Sequence, residues 1–333
     1  MIGPSTLRPP TLDDATAPAY KDWLHLNLFD HASGAIGIVN VSLTGSPADD
    51  RSRAVGAALF HTEEMGWTGN LEVRGLNEAR IEQAGIALEQ VALAVDQGAE
   101  TVTGSARLPD DLLELDVTAR AQVRSVAIEE RVPLGPGWFS WSAVGRLSVE
   151  GEARIDGRGL DLGKATAYHD HNWGRWHWGD DLGWQWGAFH APGDGPAFVL
   201  IRTTDRTHTR GEPPALVAYL GDLRRYFVGP RVIVRYEGWF DGPIRRVPGA
   251  LAALHSDRAE PRLPANVRVV ADDGVDHVTL EFQARGATQL VTADPAVRGY
   301  GFIHELVGSV RFEASLAGES IDGEGLGVVE RAN

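Results

Sequence analysis

The chain has 333 residues, enough for about two domains at ~150 residues each. Its 31 Lys and Arg face 46 Asp and Glu, a formal net charge of −15 that argues against a nucleic-acid binder, whose affinity needs excess cationic side chains. There are no cysteines, which excludes disulfides, thiolate zinc sites, iron–sulfur clusters and a cysteine nucleophile. The 39 Gly and 18 Pro suggest many turns between short strands, and ten Trp stand out because they are unevenly placed.

Met1 to Pro10 has neither the apolar stretch nor the cleavage pattern of a secretory signal. No apolar run reaches the ~18 residues of a membrane-spanning helix. Lys occurs only at Lys21 and Lys164, and the preference for Arg, with high Ala and Gly, reads as a high-GC bacterial coding bias. The expectation is a soluble, cytoplasmic bacterial protein with no integral membrane segment, peripheral membrane contact being left open. Residues 23–29 and 36–43 read as an antiparallel pair joined across residues 30–34. Residues 78–97 have helix-forming composition. They also contain two alternating runs, Ile86/Leu88 and Val91/Leu93/Val95, split by Glu89 and Gln90, and the neighbouring strands favour that reading. Leu113, Leu115, Val117 and Ala119 alternate with polar residues, as do Val278, Leu280 and Phe282, and Val310, Phe312 and Ala314.

A repeat organises these strands. Ile155 to Leu160 (IDGRGL) recurs as Ile321 to Leu326 (IDGEGL), 166 residues later (321 − 155). A Trp-led strand, a Gly-containing turn and an apolar strand open each half, from Trp23 with a turn at Ser33-Gly34 and from Trp184 with a turn at residues 192–195. Duplication is the reading, each half having the size of an antiparallel barrel or sandwich. Gly157-x-Gly159 lacks the third glycine and following helix of a dinucleotide fingerprint and reads as a turn.

Between the halves, residues 168–190 (YHDHNWGRWHWGDDLGWQWGAFH) hold five of the ten Trp and four His. On an extended strand Tyr168, Asp170 and Asn172 share one face, and His169, His171 and Trp173 the other. Tyr168 to Gly174 followed by Trp184-Gln185-Trp186-Gly187 resembles the signature of the carotenoid 1,2-hydratase (hydroxyneurosporene synthase, CrtC) and AttH-like superfamily, specifically over residues 160–190 and diffusely elsewhere. That superfamily includes phytoalexin hydratases and fungal Diels–Alderase-type cyclases. The resemblance implies an all-β chain of two tandem lipocalin-like (calycin-type) antiparallel barrels: residues 1–165, a signature segment at 166–183, and residues 184–333. It further implies an active site near the signature and between the barrels, a long apolar substrate, and no metal or organic cofactor. Tyr168, Asp170 and Asn172 would carry the chemistry, and Trp141 would match an upstream Trp of the family. Phe139 stands where the hydratases are expected to have a His two residues before that Trp.

Chemistry points the same way. Hydrating an unactivated alkene needs a proton donor strong enough to make a carbocation, and a carboxylic acid serves if burial keeps it protonated above its usual ~3.9. Asp170 is the candidate acid, with Tyr168 and Asn172 orienting it or holding water. Trp141, Trp173, Trp184, Trp186 and His190 are candidate substrate contacts, indole faces stabilising a nascent cation by ~1–2 kcal/mol each. Three readings remain open: a hydratase acting on an apolar isoprenoid or polyene, a cyclase of secondary metabolism with a polyketide-like substrate, and a carrier of a hydrophobic ligand. Bland accounts compete with each. Single Trp residues fill cores, and Asp170 could satisfy backbone N–H groups. His169 and His171, with His177, His190, Asp180 or Asp181, could ligate a metal, but no fixed ligand spacing supports this and the site is read as metal-free. Asp180-Asp181 reads as a turn, Glu305 as part of a solvated strand face, and Arg224-Arg225 and Arg245-Arg246 as surface charge. Substrate identity, stereochemistry and oligomeric state are not legible.

Overall fold

The alternating segments build strands almost throughout. A computed structural model of the chain describes residues 6–8, 17–46, 49–109, 112–247, 262–294, 297 and 299–333. Met1–Ser5 and Pro9–Pro10 of the leader reading lie outside the described residues. Among the described residues there are short 3-10 turns but no α-helix, and no helix long and apolar enough to cross a membrane. The chain divides into two units, Met1–Asp180 with Ala293–Gly301, and Asp181–Thr292 with Phe302–Asn333.

The first unit contains β1 (Tyr20–Asp30), β2 (Ala35–Thr44), β3 (Arg53–Thr62), β4 (Gly66–Gly75), β5 (Arg80–Glu82), β6 (Gly85–Ala87) and β7 (Val91–Asp96). It continues with β8 (Thr101–Arg107), β9 (Leu113–Ala121), β10 (Val126–Leu134), β11 (Gly137–Ile155), β12 (Arg158–Asp161) and β13 (Thr166–Arg175). They form one sheet in the order β4-β3-β2-β1-β13-β11-β9-β8-β7-β6-β5, with β10 and β12 also pairing with β11. Residues 78–97 are thus mainly short strands, with Glu89 and Gln90 at the bend between β6 and β7. The sheet curls on itself. A Cβ added at Gly104 on β8 would lie 3.4 Å from Leu26 on β1, a strand that is not its neighbour in the sheet. Leu24, Leu26 and Leu28 therefore point to the concave side, where they are fully buried.

The second unit contains β14 (Gly183–His190), β15 (Ala197–Thr204), β16 (Ala215–Leu220), β17 (Leu223–Val228) and β18 (Val232–Glu237). After β19 (Ile244–Val247) come β20 (Asn266–Asp272), β21 (His277–Ala293), β22 (Tyr300–Leu316) and β23 (Glu319–Ala332). The order is β17-β16-β15-β14-β23-β22-β21-β20-β18, with β19 parallel to β21. Its concave side is filled by an apolar cluster that includes Phe189, Phe198, Phe227, Phe282 and Phe312.

The two sheets share one topology: the first strand pairs with the last, and the last with the long strand before it. The leading strands and the hairpin before the last strand share one offset. Trp184 follows Trp23 by 161 residues (184 − 23), and the hairpin turn Ala317-Gly318 follows Asp156-Gly157 by the same amount (317 − 156). All four turn residues have positive φ, between 50° and 85°. The IDGxGL echo is therefore corrected. Its first copy forms the β11–β12 turn, whereas its second runs inside β23 at a different offset. Turn geometry selects for positive φ rather than for one dipeptide, so the true counterpart of Asp-Gly is Ala-Gly.

Two side-chain expectations also change. Glu305 is 1% exposed, so the face of β22 that carries it is covered rather than solvated. Arg225 is not free surface charge but pairs with buried Asp276.

One of the two lysines has a structural role. Lys21 is buried, and its Nζ donates to Trp176 O (2.7 Å) and Asp294 Oδ2 (3.2 Å), linking Ala293–Gly301 to β1. Burial pulls the ammonium below its ordinary pKa, and Asp294 opposes that pull. Removing one partner of a buried pair strands the other charge. Lys21→Met is expected to destabilise the protein by ~3–5 kcal/mol in urea titrations. Arg51→Ala, at the exposed pair with Asp49, should leave the midpoint unchanged.

Candidate active site on the central strand of the first sheet

β13 carries the signature and lies between β1 and β11, antiparallel to both. Asp170 stands opposite His25 and Ala143, Asn172 opposite Trp23 and Trp141, and Tyr168 opposite Asn27. Residues 166–174 are all buried, so each face of the strand is a distinct interior environment.

The convex face bears Tyr168, Asp170 and Asn172. Asp170 Oδ2 accepts from the Tyr168 hydroxyl at 2.7 Å and from Trp141 Nε1 at 3.4 Å, and Oδ1 accepts from Asn172 Nδ2 at 2.7 Å. Three donors thus converge on one carboxyl that is 5% exposed. Of the two donors to Oδ2, the phenol can also accept, whereas the indole N–H only donates. A proton on Oδ2 therefore has Tyr168 Oη as its acceptor, leaving the phenolic proton free to point elsewhere.

Beside this group runs a second polar row. His25 Nε2 lies 2.9 Å from Asn27 Oδ1, and Asn40 Nδ2 lies 3.3 Å from His25 Nδ1. Asn27 is fully buried, and its Nδ2 has no hydrogen-bond partner. The sequence reading missed His25, Asn27 and Asn40. Its available signal was polar residues at every second position of an otherwise apolar strand, WLHLNLF.

The concave face bears His169, His171 and Trp173. His171 Nε2 meets Asp22 Oδ1 at 2.7 Å, and its ring stacks on Trp173 with centroids 4.6 Å apart. Asp22 Oδ2 accepts from the Tyr20 hydroxyl at 2.7 Å and the Arg8 backbone N–H at 2.9 Å. His169 Nδ1 lies 2.9 Å from His25 O, and burial lowers its pKa to about 3. The neutral ring donates from Nδ1, which leaves Nε2 as a buried lone pair with no partner. No group of three or more potential metal ligands gathers among the described residues.

Tyr168, Asp170, Asn172 and Trp141 therefore form one group, and Trp173 points away from them. Trp184, Trp186 and His190 belong to β14 of the second unit, on the face opposite core residue Phe189. Trp184 Nε1 donates to Glu330, and Trp186 and His190 are buried. Two surface concavities lie elsewhere in the first unit. The larger, about 530 Å³, spans β5–β9 beside Ala92, Thr103, Asp116 and Glu150, and no signature residue lines it. The smaller, about 280 Å³, is floored by Trp173.

The chain has the fold of a tandem lipocalin-like protein, nearly all β and built from two curled antiparallel sheets. Solved structures similar to it include an AttH-like protein from Nitrosomonas europaea, with TM-score 0.68 and 14% identity over 99% of this chain and 98% of that one. Kievitone hydratase from Nectria haematococca has TM-score 0.63 and 12% identity over 99% and 93%. CghA, solved with Sch210972, has TM-score 0.60 and 14% identity over 99% and 97%. No family model and no curated protein sequence matches the chain. At such identities the likeness establishes the fold alone.

His169 also sets a pH dependence. Its folded pKa of about 3 lies below the ordinary 6.5, so on acidification the unfolded chain takes up the proton first. Its contribution to stability is complete above about pH 6.5 and declines toward pH 3, by ~1.4 kcal/mol per pH unit. His169→Gln is expected to flatten the stability–pH slope between pH 6 and pH 4 by roughly that amount, measured from urea midpoints.

Proposed function

We propose that the protein is a hydratase that adds water across an alkene of an apolar isoprenoid or polyene, using the convex face of β13. The observation that carries this reading is the Tyr168–Asp170–Asn172 group with Trp141. A buried carboxyl is held there from both oxygens and has one neighbour able to pass its proton on. In the proposed step, Asp170 gives its proton to Tyr168 Oη while the phenolic proton moves to the alkene carbon, leaving a tertiary cation. Water then adds to the cation, and the proton it releases returns through Tyr168 to Asp170. The His25–Asn27–Asn40 row supports the second half, offering an imidazole and amides that hold the water on one side of the cation. Trp141 and Trp23, opposite Asn172 on either side, supply indoles.

One observation favours cyclisation as a second reading. Phe139, two residues before Trp141 on β11, places an apolar ring where the resemblance calls for an imidazole. A pericyclic cyclisation needs shape and one hydrogen bond rather than a mobile proton.

Asp170→Asn separates the two. It keeps the size and most of the hydrogen bonds but removes the transferable proton. Hydration of a prenylated or polyene substrate is expected to fall by at least ~10²-fold in kcat, the usual range for a lost general acid. Tyr168→Phe should lower kcat in the same direction. Undiminished hydration by a folded Asp170→Asn variant would sink the assignment, whereas an unimpaired cyclisation activity would select the second reading.

A further inference from the structure

The polar row beside Asp170 ends in a buried donor that no protein group takes. Asn40 Nδ2 lies 3.3 Å from His25 Nδ1, and an amide nitrogen only donates, so Nδ1 accepts and the ring carries its proton on Nε2. That N–H donates to Asn27 Oδ1 at 2.9 Å. The hydrogen bonds thus run in one direction, from β2 to β1 and then along β1. This direction fixes the Asn27 carboxamide, with Oδ1 toward His25 and Nδ2 away from it. Asn27 is fully buried, and among the described residues its Nδ2 meets no acceptor. Buried amide donors are almost always paired, because water no longer compensates them.

The surroundings define what pairs with it. Asn27 stands opposite Tyr168 on β13 and Ile38 on β2, and Ile38 stands opposite Leu59 on β3. Directly opposite residues share a face, so the amide sits between a phenol and apolar side chains, all of them buried. Along the same face exposure rises toward Trp23 and Asn40, both half-buried, which is the side open to an entering ligand. We infer that Asn27 selects the substrate. Its Nδ2 donates to a carbonyl oxygen carried a few bonds from the reacting alkene, so the substrate is an unsaturated carbonyl compound rather than a hydrocarbon. A carbonyl fits better than a hydroxyl, which brings a proton of its own while the neighbouring acceptor, Asn27 Oδ1, is already taken by His25. The short span follows from register, since Tyr168, whose phenol protonates the alkene, is the residue directly opposite Asn27. The inference rests on the reading of the convex face as the hydration site. It assigns Asn27 to the substrate and leaves Asn40, at the outer end of the row, for the water.

Binding is the readout, so the result stands apart from the hydration assay that judges Asp170. Quenching of tryptophan emission in the full chain is measured with geranylacetone and with its methylene analogue, in which a CH2 group replaces the carbonyl oxygen. The expected result is saturable binding of the ketone at least tenfold tighter than that of the analogue, about 1.4 kcal/mol. Asn27→Asp keeps an acceptor for His25 and removes the donor, and Asn27→Leu puts an apolar group of similar size in place of the amide. Each should bring the two affinities within about twofold of one another. Equal affinities in the wild type, or no saturable binding of the ketone, would overturn the proposal without recourse to a variant, which keeps it testable if both variants misfold. A ketone preference that survives in folded Asn27→Asp or Asn27→Leu would overturn it as well. A preference lost in both supports the assignment whatever Asp170→Asn does to hydration, so failure of one reading is distinguishable from failure of the other.

Discussion

Two antiparallel ladders hold β13 between β1 and β11, and everything assigned to the first unit depends on their register. Side chains alternate across a strand, so a slip of one residue would move Asp170 to the concave side and His171 to the convex one. The register is well defended. Leu24, Leu26 and Leu28 have to reach the apolar concave interior, which leaves Trp23, His25 and Asn27 on the convex side beside Tyr168, Asp170 and Asn172. Burial on both faces explains why the strand has few ordinary surface positions and why most of its polar groups come with partners, His169 Nε2 being an exception.

Those partners differ in kind. Asp170 is surrounded by neutral donors, one of which can also accept, an arrangement in which a proton can change place. Asp22 is held by a phenol, an imidazole and a backbone amide, an arrangement that fixes geometry. Asp294 receives the Lys21 ammonium, the His177 ring and the Trp178 N–H, and so serves as an internal tie. A buried carboxyl without such donors would carry a large desolvation cost. The same chemical group thus performs three tasks according to what surrounds it.

The duplicated architecture has diverged in chemistry while keeping its ladders. At the offset of the leading strands, Trp23 corresponds to Trp184, His25 to Trp186, Asn27 to Ala188 and Phe29 to His190. The leading indole persists and the polar row is largely replaced. β23, which takes the place of β13, reads GLGVVERA at its end and has no Tyr-x-Asp-x-Asn face. By strand register Glu330 stands where Asp170 does and accepts from the Trp184 indole, but Val328 and Ala332 replace the phenol and the amide, so the carboxyl persists without its two flanking donors. Backbone pairing constrains topology, whereas a polar cluster needs several residues at once and disappears when any of them changes.

Period-two alternation pointed to a strand-built chain and divided Tyr168–Trp173 into two faces, because these follow from local geometry, whereas residues 78–97 also fitted a helix and were read as strands from their neighbours. It was also enough to single out Asp170 with its flanking phenol and amide. The environment of each face was not legible. That the face carrying Trp173 opens beside Arg8, Arg131 and Arg175 depends on strands far apart in the chain. So does the recruitment of His25, Asn27 and Asn40, which come from strands more than a hundred residues before β13. The same limit misled the repeat, where a chance sextet outranked a turn pair with different side chains but the same backbone. The ten Trp and the excess of acidic over basic residues raised the first questions about this chain. Tertiary structure decided which indoles meet a carboxyl and which meet a guanidinium, since those contacts are set by long-range pairing rather than by spacing along the sequence.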